Sequence, residues 1–500
     1  MNLLDNLGLG LGTALQSQHL LLLLLGCALG AMAAATSRLG LLAMLAMLLP
    51  VLQQLEIMPA LMMIVGVYCG ANGGLPNGWT GEPGQLTSAG AAAGSGAAGA
   101  RGAASMLAAA APPLVVLLAG LWGAASIIAL APLLIEQAFR FGPAEYFSLM
   151  AVGLTISVVL GPGSLLKAMS TLALGVMLAQ LSVDPASGKA TFNFGLGELE
   201  PGLGLIPVAM GLGVIARATA MASSSRRTFG APLQATCNPR KSRFNLRCQW
   251  AQLFRGSVIG SLVGLLPGGG ARLGGHVALV AEEYVLRQKG AVGVDAIDNP
   301  GPAAAVVAGV RGSLVPLLAW GFPANASLAL MAGVMFGKQV VVGPQLMTGR
   351  PGLFWGSIAA VALASVLLFL GNGLLRRSSM KVRGLSLHWL PAIMIIWCCI
   401  GTYTMRNSVF DILVLAAFAL VGHSLFKFGC RIGPLIMGFV LGPMLESNLR
   451  HALDLSGGNW GVLITRPISA GLLLLAAAVF CAVMLPSLRL RRARIFDQED

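Results

Sequence analysis

Residues 316–337 read PLLAWGFPANASLALMAGVMFG, an uncharged run long enough to cross a bilayer. At its centre stands Gly-Phe-Pro-Ala-Asn, where an unbroken helix is expected. Hydrocarbon offers no water to a freed N–H or C=O. A chain broken at that depth must bury the break inside protein or line a wet cavity with it. Any fold for this sequence has to meet that condition.

Apolar runs recur along the 500 residues, of which 56 % are hydrophobic and 10 % charged. Soluble domains carry about 25 % charged residues. The sequence therefore predicts an all-α polytopic membrane protein with about 11–13 transmembrane or re-entrant segments. Its 66 glycines and 26 prolines suit closely packed membrane helices. The 8 cysteines show no metal-ligand spacing. Cys27, Cys69, Cys398, Cys399 and Cys481 fall in apolar runs, and Cys237 and Cys248 in a basic loop. The stretch HLLLLLLGCALGAMAAA has no basic n-region before it and reads as a retained helix.

A net charge of +14 could point to nucleic acid, but the cations gather in loops beside apolar runs. The positive-inside rule accounts for them better, and nucleic acid is excluded as a partner. The basic segments are Arg217 to Arg255, RRSSMKVRG at 376–384 and the tail RLRRARIFDQED, all placed in the cytoplasm. Helices near 388–404 and 408–426, a segment at 430–445 and a helix at 467–487 then return the tail to that side. The stretches SVDPASGKATFNFGLGELEP and ESNLRHALDLSGGNWGVLITRP fall outside.

The domain reading follows: a first membrane half at 1–217, a basic cytoplasmic linker at 218–255, a second half at 256–487 and a cytoplasmic tail at 488–500. Both halves contain interrupted apolar runs: YCGANGGLPNGWTGEPG at 68–84, LLPGGGARLGG at 265–275 and WGFPANAS at 320–327. Two pseudo-symmetric halves with broken helices point to a secondary transporter whose site lies near the bilayer midplane. The candidate backbone site comprises Asn72, Gly73, Gly74, Pro83 and Gly84, then Pro267, Gly268, Gly269 and Gly270, then Gly321, Pro323, Ala324 and Asn325.

Arg311 lies within PAAAVVAGVRGSLVPLLAWG, where insertion scales charge about 2.5–3.5 kcal/mol for an arginine. Its fork suits a carboxylate, and it is a candidate substrate contact. Arg272 could add positive potential after the glycine run, and His276 could couple transport to protons. The run PGGGARLGG is no phosphate-binding loop, because no Gly-Lys-Ser/Thr follows it. Glu282 and Glu283 read as the polar end of a helix, and Asp295 and Asp298 as loop acids. No catalytic motif, metal site or cofactor site is expected.

Several stretches together resemble a known family. FGPAEYFSLMAVGLTISVVLGPGSLLKAM, VDPASGKATFNFGLGELEPGLGLIPVAMGL, LVGLLPGGG, GSLVPLLAWGFPANAS and PLIMGFVLGPMLESNLRHAL are similar, in order, to the large membrane subunit of the tripartite tricarboxylate transporters. The resemblance implies a permease of the bacterial inner membrane. It implies two protein partners, a small four-helix membrane subunit and a periplasmic solute-binding protein. It further implies uptake of a small carboxylate driven by Na+ or H+. The family's second Pro-Gly-x-Gly loop matches Pro267, Gly268 and Gly270, and its Gly-Ile-Pro-Gly-Ser loop matches Gly321 to Asn325. The first Pro-Gly-x-Gly falls on Ser37, Arg38, Leu39 and Gly40, and the Asn-Thr-Pro-Gly turn leaves Pro83 and Gly84. The stretch Pro302 to Val307 replaces an acid and two amides, and Arg311 stands where glycine is usual. These departures leave a rival reading, a diverged scaffold that assembles with the partners but does not transport.

Overall fold

The computed structural model describes residues 3–35, 40–73, 113–160, 164–181, 202–223, 246–268, 270–288, 299–384 and 389–484. Every regular element among them is helical. That follows from the solvent, since a helix satisfies its backbone groups within one segment. Eight of these helices are long and apolar enough to cross a membrane, and shorter apolar helices lie between them.

The first part of the chain forms α1 (Leu3–Ala14), α2 (Ser17–Ala35), α3 (Gly40–Gln54) and α4 (Ile57–Ala71). After them come α5 (Pro113–Ala138), α6 (Pro143–Leu160) and α7 (Leu165–Ala179). Helix α8 (Leu205–Met210) passes through a π-helical turn at Gly211–Ile215 into α9 (Ala216–Ser223).

Next come α10 (Leu246–Gly264), α11 (Gly270–Gln288), α12 (Gly301–Gly312), α13 (Leu314–Trp320), α14 (Ala326–Gly337) and α15 (Pro344–Gly349). The chain ends with α16 (Pro351–Gly384), α17 (Leu390–Arg406), α18 (Val409–Lys427), α19 (Ile432–Leu455), α20 (Val462–Thr465) and α21 (Pro467–Met484). Helix α19 runs past 445, the end expected from sequence, because the helix continues through its internal Pro443.

Glycines set the closest helix contacts. A Cβ on Gly26 or Gly30 of α2 would lie 2.4 Å from the Met63 carbonyl oxygen or 2.2 Å from that of Val67 on α4. Gly66 and Gly70 return the contact against α2. The same device recurs where Gly256, Gly260 and Gly264 of α10 meet Gly301, Ala305 and Gly309 of α12. Small residues spaced four apart bring the two backbones together, which suits a medium that supplies no hydrophobic drive between helices. In both units a third helix connects the two parallel ones, α3 in one and α11 in the other.

The two units meet through α5 and α16. Helix α12 runs alongside α5, with Ala303, Ala304 and Val307 near Val115 to Ala119 and Arg311 near Gly123. Helix α4 runs alongside α16, with Met58 near Gly356 and Gly73 near Leu368. Helices α5 and α16 pack together, and the last turn of α4 meets the end of α12. The hydroxyls of Tyr68 and Ser313 mark that meeting, 2.7 Å apart and hydrogen-bonded.

Ion pairs hold the periphery. Arg255 grips Glu282 through two hydrogen bonds of 2.9 Å each. Glu282, read as the polar end of a helix, lies inside α11, which continues to Gln288, and is 1 % exposed against α10. Arg466 reaches both carboxylate oxygens of Glu145 at 3.2 Å, joining the start of α21 to α6. The ammonium of Lys338 donates to the carbonyls of Gln53, at 3.0 Å, and Leu55, and so fastens the end of α14 to the end of α3.

Candidate functional site

A cavity of about 380 Å³ lies where helix ends from both units converge. The helices α3, α7, α11, α14 and α19 begin at it, and α4, α6 and α18 end at it. Ligand pockets typically measure about 300–1,000 Å³. Three cationic side chains line the wall: Lys167 on α7, Arg217 on α9 and Arg431 at the N-cap of α19. Its lining contains no aspartate or glutamate. Hydroxyls from Tyr68, Ser157, Ser164 and Ser327 and the amides of Asn72 and Asn325 complete the polar surface. Such a wall attracts an anion and offers its carboxylate oxygens several donors.

The breaks expected from sequence build this wall. Gly268 has φ +91°, and a Cβ there would meet the Ser157 Cα at 2.4 Å. Only glycine fits a left-handed conformation against another backbone. Its N–H donates to the Ala324 carbonyl at 2.7 Å, so the 267–270 and 321–325 breaks are tied together. Gly40 starts α3 with φ +69°, and a Cβ there would lie 3.4 Å from the Arg217 guanidinium.

Asn325 answers the question raised by an amide in the middle of an apolar run. It is the N-cap of α14, its Oδ1 accepting from the Leu328 N–H at 3.0 Å. Its Nδ2 donates to the Tyr68 hydroxyl at 2.9 Å. Tyr68 is bonded to the Ser313 hydroxyl, which donates to the Val310 carbonyl at 2.7 Å. One chain of hydrogen bonds therefore runs from the start of α14 through α4 to the end of α12, and at 3 % exposure Tyr68 is its buried centre. Lys167 donates to the Phe428 carbonyl at 2.9 Å, completing the C-terminus of α18 with a cation where the helix dipole favours one.

Of the residues singled out from sequence, Asn72, Gly268 and Asn325 line the cavity. Ala324 supplies the carbonyl that holds Gly268, and Pro267 is buried behind it. Gly270 opens α11. Gly321 ends α13 with φ +73°, and a Cβ there would lie 2.6 Å from the Val342 carbonyl oxygen, so Gly321 and the buried Pro323 shape the turn away from the cavity wall. Gly73 packs toward Leu368. Gly74, Pro83, Gly84 and Gly269 lie outside the described residues.

Arg311 is placed differently from its sequence reading. Val306 and Val310 line the cavity, whereas the Arg311 side chain leaves the opposite face of α12 and packs between Gly120 and Gly123 of α5 at 0 % exposure. His276 sits on an exposed face of α11 and is not among the lining residues. The three cations were not legible as a group. Arg217 was read as the start of the basic segment, whereas neither Lys167 nor Arg431 was singled out.

Comparison with known proteins agrees with this architecture. Residues 20–437 match the tripartite tricarboxylate transporter TctA family. The chain belongs to that family. A 52.8 kDa protein from the TAR-I ttuC′ 3′ region of Agrobacterium vitis is 32 % identical over the full length of both chains. A protein from the TAR-II ttuC′ 3′ region of the same organism is 35 % identical over 242 residues, covering 48 % of this chain and all of the relative. No solved structure matches. As a TctA-family member the chain is a multi-pass membrane subunit of a tripartite transporter type.

Proposed function

We infer that this TctA-family subunit is the permease of a binding-protein-dependent importer for a small di- or tricarboxylate, energised by an ion gradient. The observation that carries the reading is the acid-free cavity ringed by Lys167, Arg217 and Arg431 at the meeting point of the helix breaks. At an effective dielectric of about 20, one cation about 5 Å from a carboxylate contributes roughly 3 kcal/mol before desolvation, so three favour a multiply charged anion.

The chain works with a small four-helix membrane subunit and a periplasmic solute-binding protein in the bacterial inner membrane. Its basic linker and C-terminal tail face the cytoplasm. On that orientation the cavity, bordered by the end of α18 and by Arg217 just before the linker, faces inward. The halves at 1–217 and 256–487 are inverted repeats, and alternation between outward and inward access arises from their relative movement.

Uptake of radiolabelled citrate by cells holding all three subunits tests the reading. Uptake that depends on this chain and weakens in Arg217→Ala or Arg431→Ala is the expected result. No uptake of any di- or tricarboxylate, with the assembly intact, would leave the scaffold reading in its place.

A further inference from the structure

We propose that the guanidinium of Arg311 is the binding site of a buried monatomic anion, chloride, held where α12 packs against α5 and α16. This is a counter-ion built into the fold, separate from the cavity and independent of the transport reading.

Arg311 is 0 % exposed. Its Nη1 donates to the Val307 carbonyl one turn back at 3.1 Å, whereas Nε and Nη2 have no hydrogen-bond partner among the described residues. Those two nitrogens form one edge of the planar group. Arg255 uses the same edge on Glu282, Nε on one carboxylate oxygen and Nη2 on the other, at 2.9 Å each. Two parallel N–H donors of this kind are made for an anion. In Arg311 the edge is bare.

No ion pair joins Arg311 to an acid among the described residues. The side chains that feel its charge are Cys27, Tyr68 and Cys69, none of them a carboxylate. Burial does not relieve the charge by deprotonation, because a guanidinium keeps its proton in proteins. A buried charge without a counter-charge is costly, and stranded donors add their own desolvation. One anion on the Nε–Nη2 edge removes both costs.

The surroundings suit a small ion. Gly120 of α5 stands between that edge and α16: a Cβ there would lie 3.4 Å from the Arg311 Nε and 2.4 Å from the Ser365 Oγ. Ser365 is also 0 % exposed. Its hydroxyl now donates to the Val361 carbonyl at 3.0 Å, and a hydroxyl proton turns to suit a new acceptor. A di- or tricarboxylate would bring more negative charge than one arginine receives, into a place closed to solvent. A monatomic anion brings one charge and no further polar groups to satisfy.

Thermal unfolding tests the site without requiring transport. The protein is purified from lysis onward in sodium chloride, sodium bromide or sodium gluconate at equal ionic strength. Wild type is expected to be stabilised by chloride and bromide over gluconate, by roughly tenfold in the folding constant when the halide is at ten times its dissociation constant. Arg311→Gln is expected to lose that dependence, and Arg431→Ala, which alters the cavity, to keep it. The proposal is overturned if wild type melts alike in all three salts, if Arg311→Gln keeps the shift, or if Arg431→Ala removes it. Should Arg311→Gln fail to fold, diffraction from wild-type crystals grown in bromide decides. An anomalous bromine peak beside Nε and Nη2 supports the site; water or empty space there overturns it.

Discussion

The N–H of Gly268 and the carbonyl of Ala324 are joined by a 2.7 Å hydrogen bond. Two interruptions more than fifty residues apart in sequence thereby become one piece of cavity wall. Gly268→Ala should be severe. Its backbone sits at φ +91°, and the new methyl would strike the Ser157 backbone at 2.4 Å. The left-handed conformation alone costs about 1–2 kcal/mol, and the collision adds to it. A lower melting temperature together with abolished uptake is expected; a variant that melts and transports like wild type refutes the role given to this turn.

Tyr68→Phe removes one oxygen from the centre of the Asn325–Tyr68–Ser313 chain. The Asn325 amide loses its acceptor in a buried place, at a cost of about 1–3 kcal/mol. Denaturation of the detergent-solubilised protein should register that loss. Uptake should fall with it, because Asn325 also fixes the start of α14.

Neutralising the cavity cations should act on affinity more than on folding. Arg431→Ala or Arg217→Ala is expected to raise the KM for a tricarboxylate about tenfold, equivalent to about 1.4 kcal/mol. A monocarboxylate should be affected less. Equal losses for every anion, or none, would show that these side chains do not face substrate.

Glu282 is buried while Arg255 is partly exposed, with side-chain exposures of 2 % and 37 %. Breaking a fully buried pair costs about 3–5 kcal/mol, and solvent at the arginine lowers that figure. Arg255→Ala, which strands the carboxylate, should therefore destabilise more than Glu282→Gln. Melting curves of the two variants side by side decide the order.

The helical architecture and the positions of its breaks were legible because membrane solvation leaves few alternatives and because glycine and proline punctuate apolar runs plainly. Asn325 was legible too, since an amide following Gly-Phe-Pro-Ala has few other uses. The direction of Arg311 was not. An arginine in an apolar helix is equally expensive on every face, and only the glycines of α5, far off in sequence, decide which face receives it. The grouping of Lys167, Arg217 and Arg431 was hidden for a similar reason. They come from three helices, and each resembles an ordinary loop-edge cation until the ends of α7, α9 and α19 are brought together. Glu282 was misread because its environment depends on how far α11 extends.

Where α2 crosses α4, main chain rests on main chain, with Gly26, Gly30, Gly66 and Gly70 leaving no side-chain cushion between them. Such a seam has nothing to compress and no rotamers to exchange, so on the proposed transport reading the two helices would travel as one girder. Sliding has to be taken up at padded seams instead, such as Phe322 resting on Gly153 or Leu205 on Gly333, where flexible side chains act as bearings.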